Sequence, residues 1–132
     1  MHVNRFKELE VYQLARKLSL SIFQYTKQFP KDEMYSLTDQ IRRSSRSVGA
    51  QIAEAWAKRR YEKHFISKLT DADGEQQETR HWIETAFDCG YLTQQQSEVL
   101  LNGYDSIGRM LNGMMNKANQ FCRKQSDDTD FS

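Results

Sequence analysis

The chain is predicted to be all-α, an antiparallel up-down-up-down four-helix bundle, and three observations carry that expectation. Only one proline and six glycines occur in 132 residues, too few for an all-β fold that turns every ~8–12 residues and too few for a disordered chain. Four segments repeat apolar side chains at spacings of three and four, the period that lines one face of a helix. The stretches between them are short, so consecutive helices lie beside each other with opposite direction. With 38% apolar and 28% charged residues, the length fits a single domain over residues 1–124 with a real core. Residues 125–132 are polar and acidic with no stripe, and are predicted to be a disordered tail.

The first segment spans about Asn4 to Phe29, with a stripe of Leu14, Leu18, Ile22, Tyr25 and Phe29. Pro30 closes it, because the residue before a proline is pushed out of helical geometry. The second opens at Ser36, a good N-cap with Asp39 in the third helical position, and carries Leu37, Ile41, Ser45, Val48, Ile52 and Ala55. Its face is built of small residues that let a neighbour approach closely. The third starts near Tyr61 to Lys63 and repeats Phe65, Leu69, Ala72, Gln76, Thr79, Ile83 and Ala86 at strict 4-3 spacing, with two polar members. Gly90 suits the left-handed position that ends a helix. In the fourth, Thr93 and Gln96 form a capping box ahead of the seam Leu100, Tyr104, Ile107, Leu111, Met114, Ala118 and Phe121.

No window holds the ~18 to 20 apolar residues of a membrane span, and Met1-His2-Val3-Asn4-Arg5 lacks the apolar run of a signal peptide. A cytoplasmic protein without a membrane partner is expected. Cys89 and Cys122 both sit in apolar stripes and read as small buried thiols rather than a disulfide or a nucleophile.

Catalytic chemistry finds little support. A di-iron bundle needs a Glu-x-x-His pair on each of two helices. One copy exists, Glu78-Thr79-Arg80-His81, and neither His64 nor His2 follows a glutamate at that offset. The serines of the second helix have no glycine-rich elbow and no histidine in their segment, and no glycine loop cradles phosphate. The expectation is therefore no enzyme, no metal, no cofactor and no small-molecule substrate.

Charge is more informative. Nineteen basic and eighteen acidic residues nearly cancel, yet the signs are segregated. From Ile41 to Lys68 eight bases face two acids, and from Asp71 to Asp88 six acids face one base. Arg42, Arg43 and Arg46 project from one side of the second helix, and Lys58, Arg59, Arg60 and Lys63 crowd the turn that follows. Such a cluster suits phosphate backbones, with Tyr61, Phe65 and Trp56 near enough to stack on bases. Pairing with the acidic block of another copy is the second reading, and plain solvation the third. Val11, Ala15, Trp56, Trp82 and Phe87 lie off the main seams. A second stripe made of them needs another subunit, with Asp71, Asp73 and Glu75 set against a neighbour's bases in a closed ring. A monomer whose wide stripes wrap one core is the alternative.

A resemblance adds to these readings. Phe6-Lys7-Glu8-Leu9-Glu10-Val11-Tyr12, Phe29-Pro30, Tyr35-Ser36-Leu37-Thr38-Asp39-Gln40-Ile41-Arg42-Arg43, Ile52-Ala53-Glu54 and Gly90-Tyr91-Leu92 resemble four-helix bundle proteins encoded in intervening sequences of bacterial large-subunit ribosomal RNA. The stretches Ala55 to Tyr61 and Phe65 to Leu69 are similar to one branch of that family, and the likeness covers roughly Arg5 to Lys124. It implies an antiparallel bundle that assembles as a homopentameric ring. It also implies kinship in fold with accessory variability determinant proteins of diversity-generating retroelements, which bind a reverse transcriptase and its template RNA through a basic surface. The family pattern places arginines at Arg42 and Arg43, and departs before and after Ile52-Ala53-Glu54, where this chain has Gly49, Gln51 and Ala55. The reading is then a non-enzymatic ring that binds structured RNA, as an accessory factor to a reverse transcriptase. A homo-oligomeric interaction scaffold without nucleic acid is the alternative.

Overall fold

A computed structural model describes residues 3–122, so the predicted tail at 125–132 lies outside the described residues. Four long helices carry the chain: α1 (Glu10–Thr26), α2 (Leu37–Ala57), α3 (Glu62–Asp88) and α4 (Gln94–Asn116). A single turn, α5 (Ala118–Phe121), follows, and short 3-10 turns occupy Phe6–Glu8 and Lys31–Glu33. No strand occurs among the described residues. Among them, no helix is long and apolar enough to cross a membrane.

α1 begins later than its apolar pattern suggests. Leu9 is extended (φ −67°, ψ 128°), and Phe6 sits edge-on to Tyr12 at 4.9 Å between centroids. The buried face of α1 is Val11, Ala15, Leu18, Ile22 and Thr26, one step around from the predicted stripe. Leu14 and Tyr25 are only half-buried at its edge. Ala15 and Thr26 are small enough to lie where helices come closest, which larger side chains cannot do.

α2 starts as predicted, but Ser36 does not cap it. Its hydroxyl donates instead to Glu33 Oε1 at 2.6 Å, because the Ser36 backbone (φ −124°, ψ −101°) turns the side chain back into the Lys31–Glu33 turn. Tyr91 OH donates to the other Glu33 oxygen at 3.0 Å, and its ring packs on Phe29 at 5.3 Å. These hydrogen bonds, Ser36 first, hold the Glu33 carboxyl below its ordinary pKa, and tie the α1–α2 connection to the α3–α4 turn.

The α3 seam is buried throughout, from Phe65 to Ala86. Its polar members are handled differently. Thr79 Oγ1 meets Ser44 Oγ at 2.9 Å and the Glu75 carbonyl oxygen at 2.8 Å. Gln76 Nε2 donates to Asp73 Oδ1 at 2.9 Å, while its Oε1 is buried without a partner among the described residues. α3 ends in a two-bond cap, Tyr91 N–H to Ala86 O and Gly90 N–H to Phe87 O, both at 2.9 Å. That cap requires Gly90 at φ +79°. Gly90→Ala is expected to cost about 1–2 kcal/mol, read as a lower urea midpoint with an unchanged denaturant slope.

α4 opens on the predicted capping box, with both reciprocal bonds between Thr93 and Gln96 present. It breaks at Lys117 (φ −115°, ψ 30°), so the expected single helix to Phe121 is two. Tyr104 is fully buried, and its hydroxyl has no partner among the described residues. Burial raises that hydroxyl's pKa above the ordinary tyrosine range. One apolar cluster draws on all four long helices. α1 and α4 close it where Gly103 faces Leu18, and an added Cβ there would stand 2.7 Å from Leu18 Cδ1.

Neither cysteine is the buried thiol expected of it. Cys89 is exposed because it follows the last residue of α3, and Cys122 is half-buried. Desolvation raises the Cys122 thiol's pKa.

Candidate nucleic-acid interface

The three arginines of α2 find different partners. A helix turns about 100° per residue, and that step sends Arg43 towards α3 while Arg42 and Arg46 lean on α1. Arg43 pairs with Glu78 and with Glu75 at 3.4 Å, and Glu78, foremost, raises its pKa. Glu78 also accepts from Trp82 Nε1 at 3.1 Å. Arg42 Nε instead donates to Thr26 Oγ1 at 2.7 Å. Its guanidinium lies 4.8 Å from the Phe23 ring centroid, with Arg46 at 5.6 Å and Lys27 at 4.9 Å from the same ring.

Three bases on one half-buried phenyl ring make a positive face across α1 and α2, extended by Arg16 and Lys17. No carboxylate among the described residues is within ion-pair distance of Arg16, Lys17, Lys27, Arg42 or Arg46. The α1 members lie outside the basic block that runs from Ile41 to Lys68 in the sequence. A signal existed: between Val11 and Lys31 there is no aspartate or glutamate at all.

Two shallow grooves meet at Arg46. One follows α2 past Tyr35, Asp39, Arg42 and Arg43. The other follows α1 past Arg16, Lys17, Leu20 and Phe23. Asp39 is the lone acid lining either one.

The bases after α2 are arranged differently. Arg59 stacks on the Trp56 ring at 3.6 Å and donates to the Trp56 carbonyl at 2.9 Å. Arg60 lies 5.9 Å from the Tyr61 ring. Lys58 and Lys63 are exposed, with no carboxylate among the described residues at ion-pair distance. Of the proposed stacking residues, Tyr61 is exposed, whereas Phe65 and Trp56 are core residues with no face to offer a base.

The residues expected at a subunit contact are also scattered. Val11 and Trp56 are covered within one chain, 3% and 7% exposed, so their burial requires no second copy. Trp82 is half-buried against His81, and Phe87 is 42% exposed. Asp71 lies 3.7 Å from Lys68, which also holds Glu54 at 3.0 Å. Asp73 accepts from Gln76 and Gln77, and Glu75 is on Arg43. In the Glu78–His81 motif, the glutamate is taken by Arg43 and Trp82 while His81 is exposed. Among the described residues, no group of three or more His, Cys, Asp or Glu is placed to hold a metal.

Fold and surface together define a small all-helical bundle with a predominantly basic face across α1 and α2. The chain belongs to the family of 23S rRNA-intervening sequence proteins, whose model matches residues 7–113. Among solved structures, it is similar to a protein of unknown function from the S23 ribosomal protein family of Bacteroides thetaiotaomicron. That likeness has a TM-score of 0.72 at 28% identity, covering 80% of this chain and 97% of that one. No curated protein matches the chain.

Proposed function

We propose that this protein is a non-enzymatic, antiparallel helical bundle that binds structured RNA through the α1–α2 face. Arg16, Lys17, Lys27, Arg42 and Arg46 supply the phosphate contacts. The observation that carries this reading is the contrast between neighbouring arginines: Arg43 is held by two carboxylates, while Arg42 and Arg46 rest on an aromatic ring and a hydroxyl, with no carboxylate among the described residues at ion-pair distance. Antiparallel packing is supported by contacts that run in opposite order along α2 and α3, Arg43 with Glu78 and Glu54 with Lys68. Assembly as a homopentameric ring and association with a reverse transcriptase rest on the family resemblance alone. A scaffold held by charge pairing between copies is less well supported, since Arg43, Asp71 and Glu75 already find partners within their own chain.

Each neutralised phosphate contributes about 0.7–0.9 to the slope of log affinity against log salt. Five contacts therefore predict a loss of roughly 100- to 500-fold between about 50 and 200 mM salt. Fluorescence anisotropy with a labelled hairpin RNA checks this. A shallow slope, or no binding at low salt, would remove the proposal.

A further inference from the structure

The part of the RNA held on the α1–α2 face is, we infer, an unpaired stretch, such as a loop, rather than a duplex stem, with Tyr35 as the platform on which a base stacks. This rests on the RNA-binding reading above and specifies its ligand. Large apolar side chains stand out among the bases of this face. Tyr35 is 90% exposed and Met34 50%, at the end of the groove that holds Arg42 and Arg46. Leu20 is 59% exposed in the adjoining groove with Arg16, Lys17 and Phe23. A duplex presents phosphates and hides the faces of its bases, so it would satisfy the arginines and leave Tyr35 in water. An unpaired strand offers both, alternating charge with flat apolar surface, and base–aromatic stacking tolerates any sequence.

The dimensions agree. The bases from Arg16 to Lys27 extend about 16 Å along α1 at the helical rise, long enough for several nucleotides. The α2 groove is open along its length, so a strand can lie in it without being enclosed. Charge complementarity favours this occupant over an acidic surface of a second copy, because the α3 acids Asp71, Glu75 and Glu78 already face their own chain's bases.

The test compares one labelled oligoribonucleotide of mixed sequence, single-stranded and annealed to its complement, at fixed salt with the full chain. The single strand is expected to bind at least tenfold more tightly. Tyr35→Ala is expected to weaken it fivefold or more while leaving the salt slope and melting temperature unchanged, and Tyr35→Phe to retain parental affinity. Tyr61→Ala, beyond the opposite end of α2, should have no effect. Equal or tighter duplex binding, an inert Tyr35→Ala, or a loss that follows Tyr61 would each overturn the inference while leaving RNA binding standing. A change in particle mass on light scattering in place of a change in affinity would assign Tyr35 to contact between copies and overturn it too. Failure of both RNA forms to bind would overturn this inference and the RNA-binding reading together.

Discussion

Phe65→Ala is expected to lower stability by about 3–5 kcal/mol, which for a chain of this size shifts the melting temperature down by roughly 10–20 °C. Phe65 is fully buried near the start of α3, stacked on Phe121 at 6.1 Å between centroids and 27° between planes. Truncating it removes the transfer free energy of a ring and leaves a cavity that helix backbones cannot collapse to fill. The ring also holds α5, whose single turn has no length to be stable alone. Val99→Ala, at a side chain 58% exposed on α4, should stay within about 0.5 kcal/mol. Urea denaturation followed by circular dichroism checks both. A loss below about 1 kcal/mol at Phe65 would mean that α5 does not seal that end of the core.

The seams of α3 and α4 were legible because their 4-3 spacing is strict, even though Ala72, Thr79, Ala86 and Ala118 are small. The α1 stripe was read one step out of phase, since Leu14 and Tyr25 carry more apolar weight than the Ala15 and Thr26 that are buried. Size misleads at the closest helix approach, where the smallest side chains go. The same rotation problem governed the arginines. That Arg42, Arg43 and Arg46 share a helix was plain. Which neighbour each one meets depends on the register of α2 against α3, fixed by contacts 32 and 35 residues apart in sequence. A hint of that register was present in two polar residues, Ser44 beside the α2 seam and Thr79 within the α3 seam, which are both buried and satisfy each other. The α1 bases do not show up as part of one positive face in the sequence, because charge along the chain does not say which helices lie side by side.

The double substitution Arg42→Ala/Arg46→Ala should reduce RNA affinity roughly 25- to 60-fold at about 0.1 M salt, because each lost phosphate contact is worth a factor of 10 raised to about 0.7–0.9 there. The salt slope should fall by about 1.4–1.8 in magnitude. Arg43→Ala is expected to change the slope hardly at all, since Glu75 and Glu78 already neutralise that guanidinium. Packing has to be separated from charge, because Arg42 also bonds Thr26 and covers Phe23. Arg42→Lys/Arg46→Lys does so: it keeps two positive charges and should keep most of the slope, although it loses the planar contact with the ring. If the alanine pair leaves the slope intact while Lys58→Ala/Lys63→Ala reduces it, the phosphate contacts belong to the α2–α3 turn. The charge on Arg42 and Arg46 would then serve only to solvate that side of the bundle.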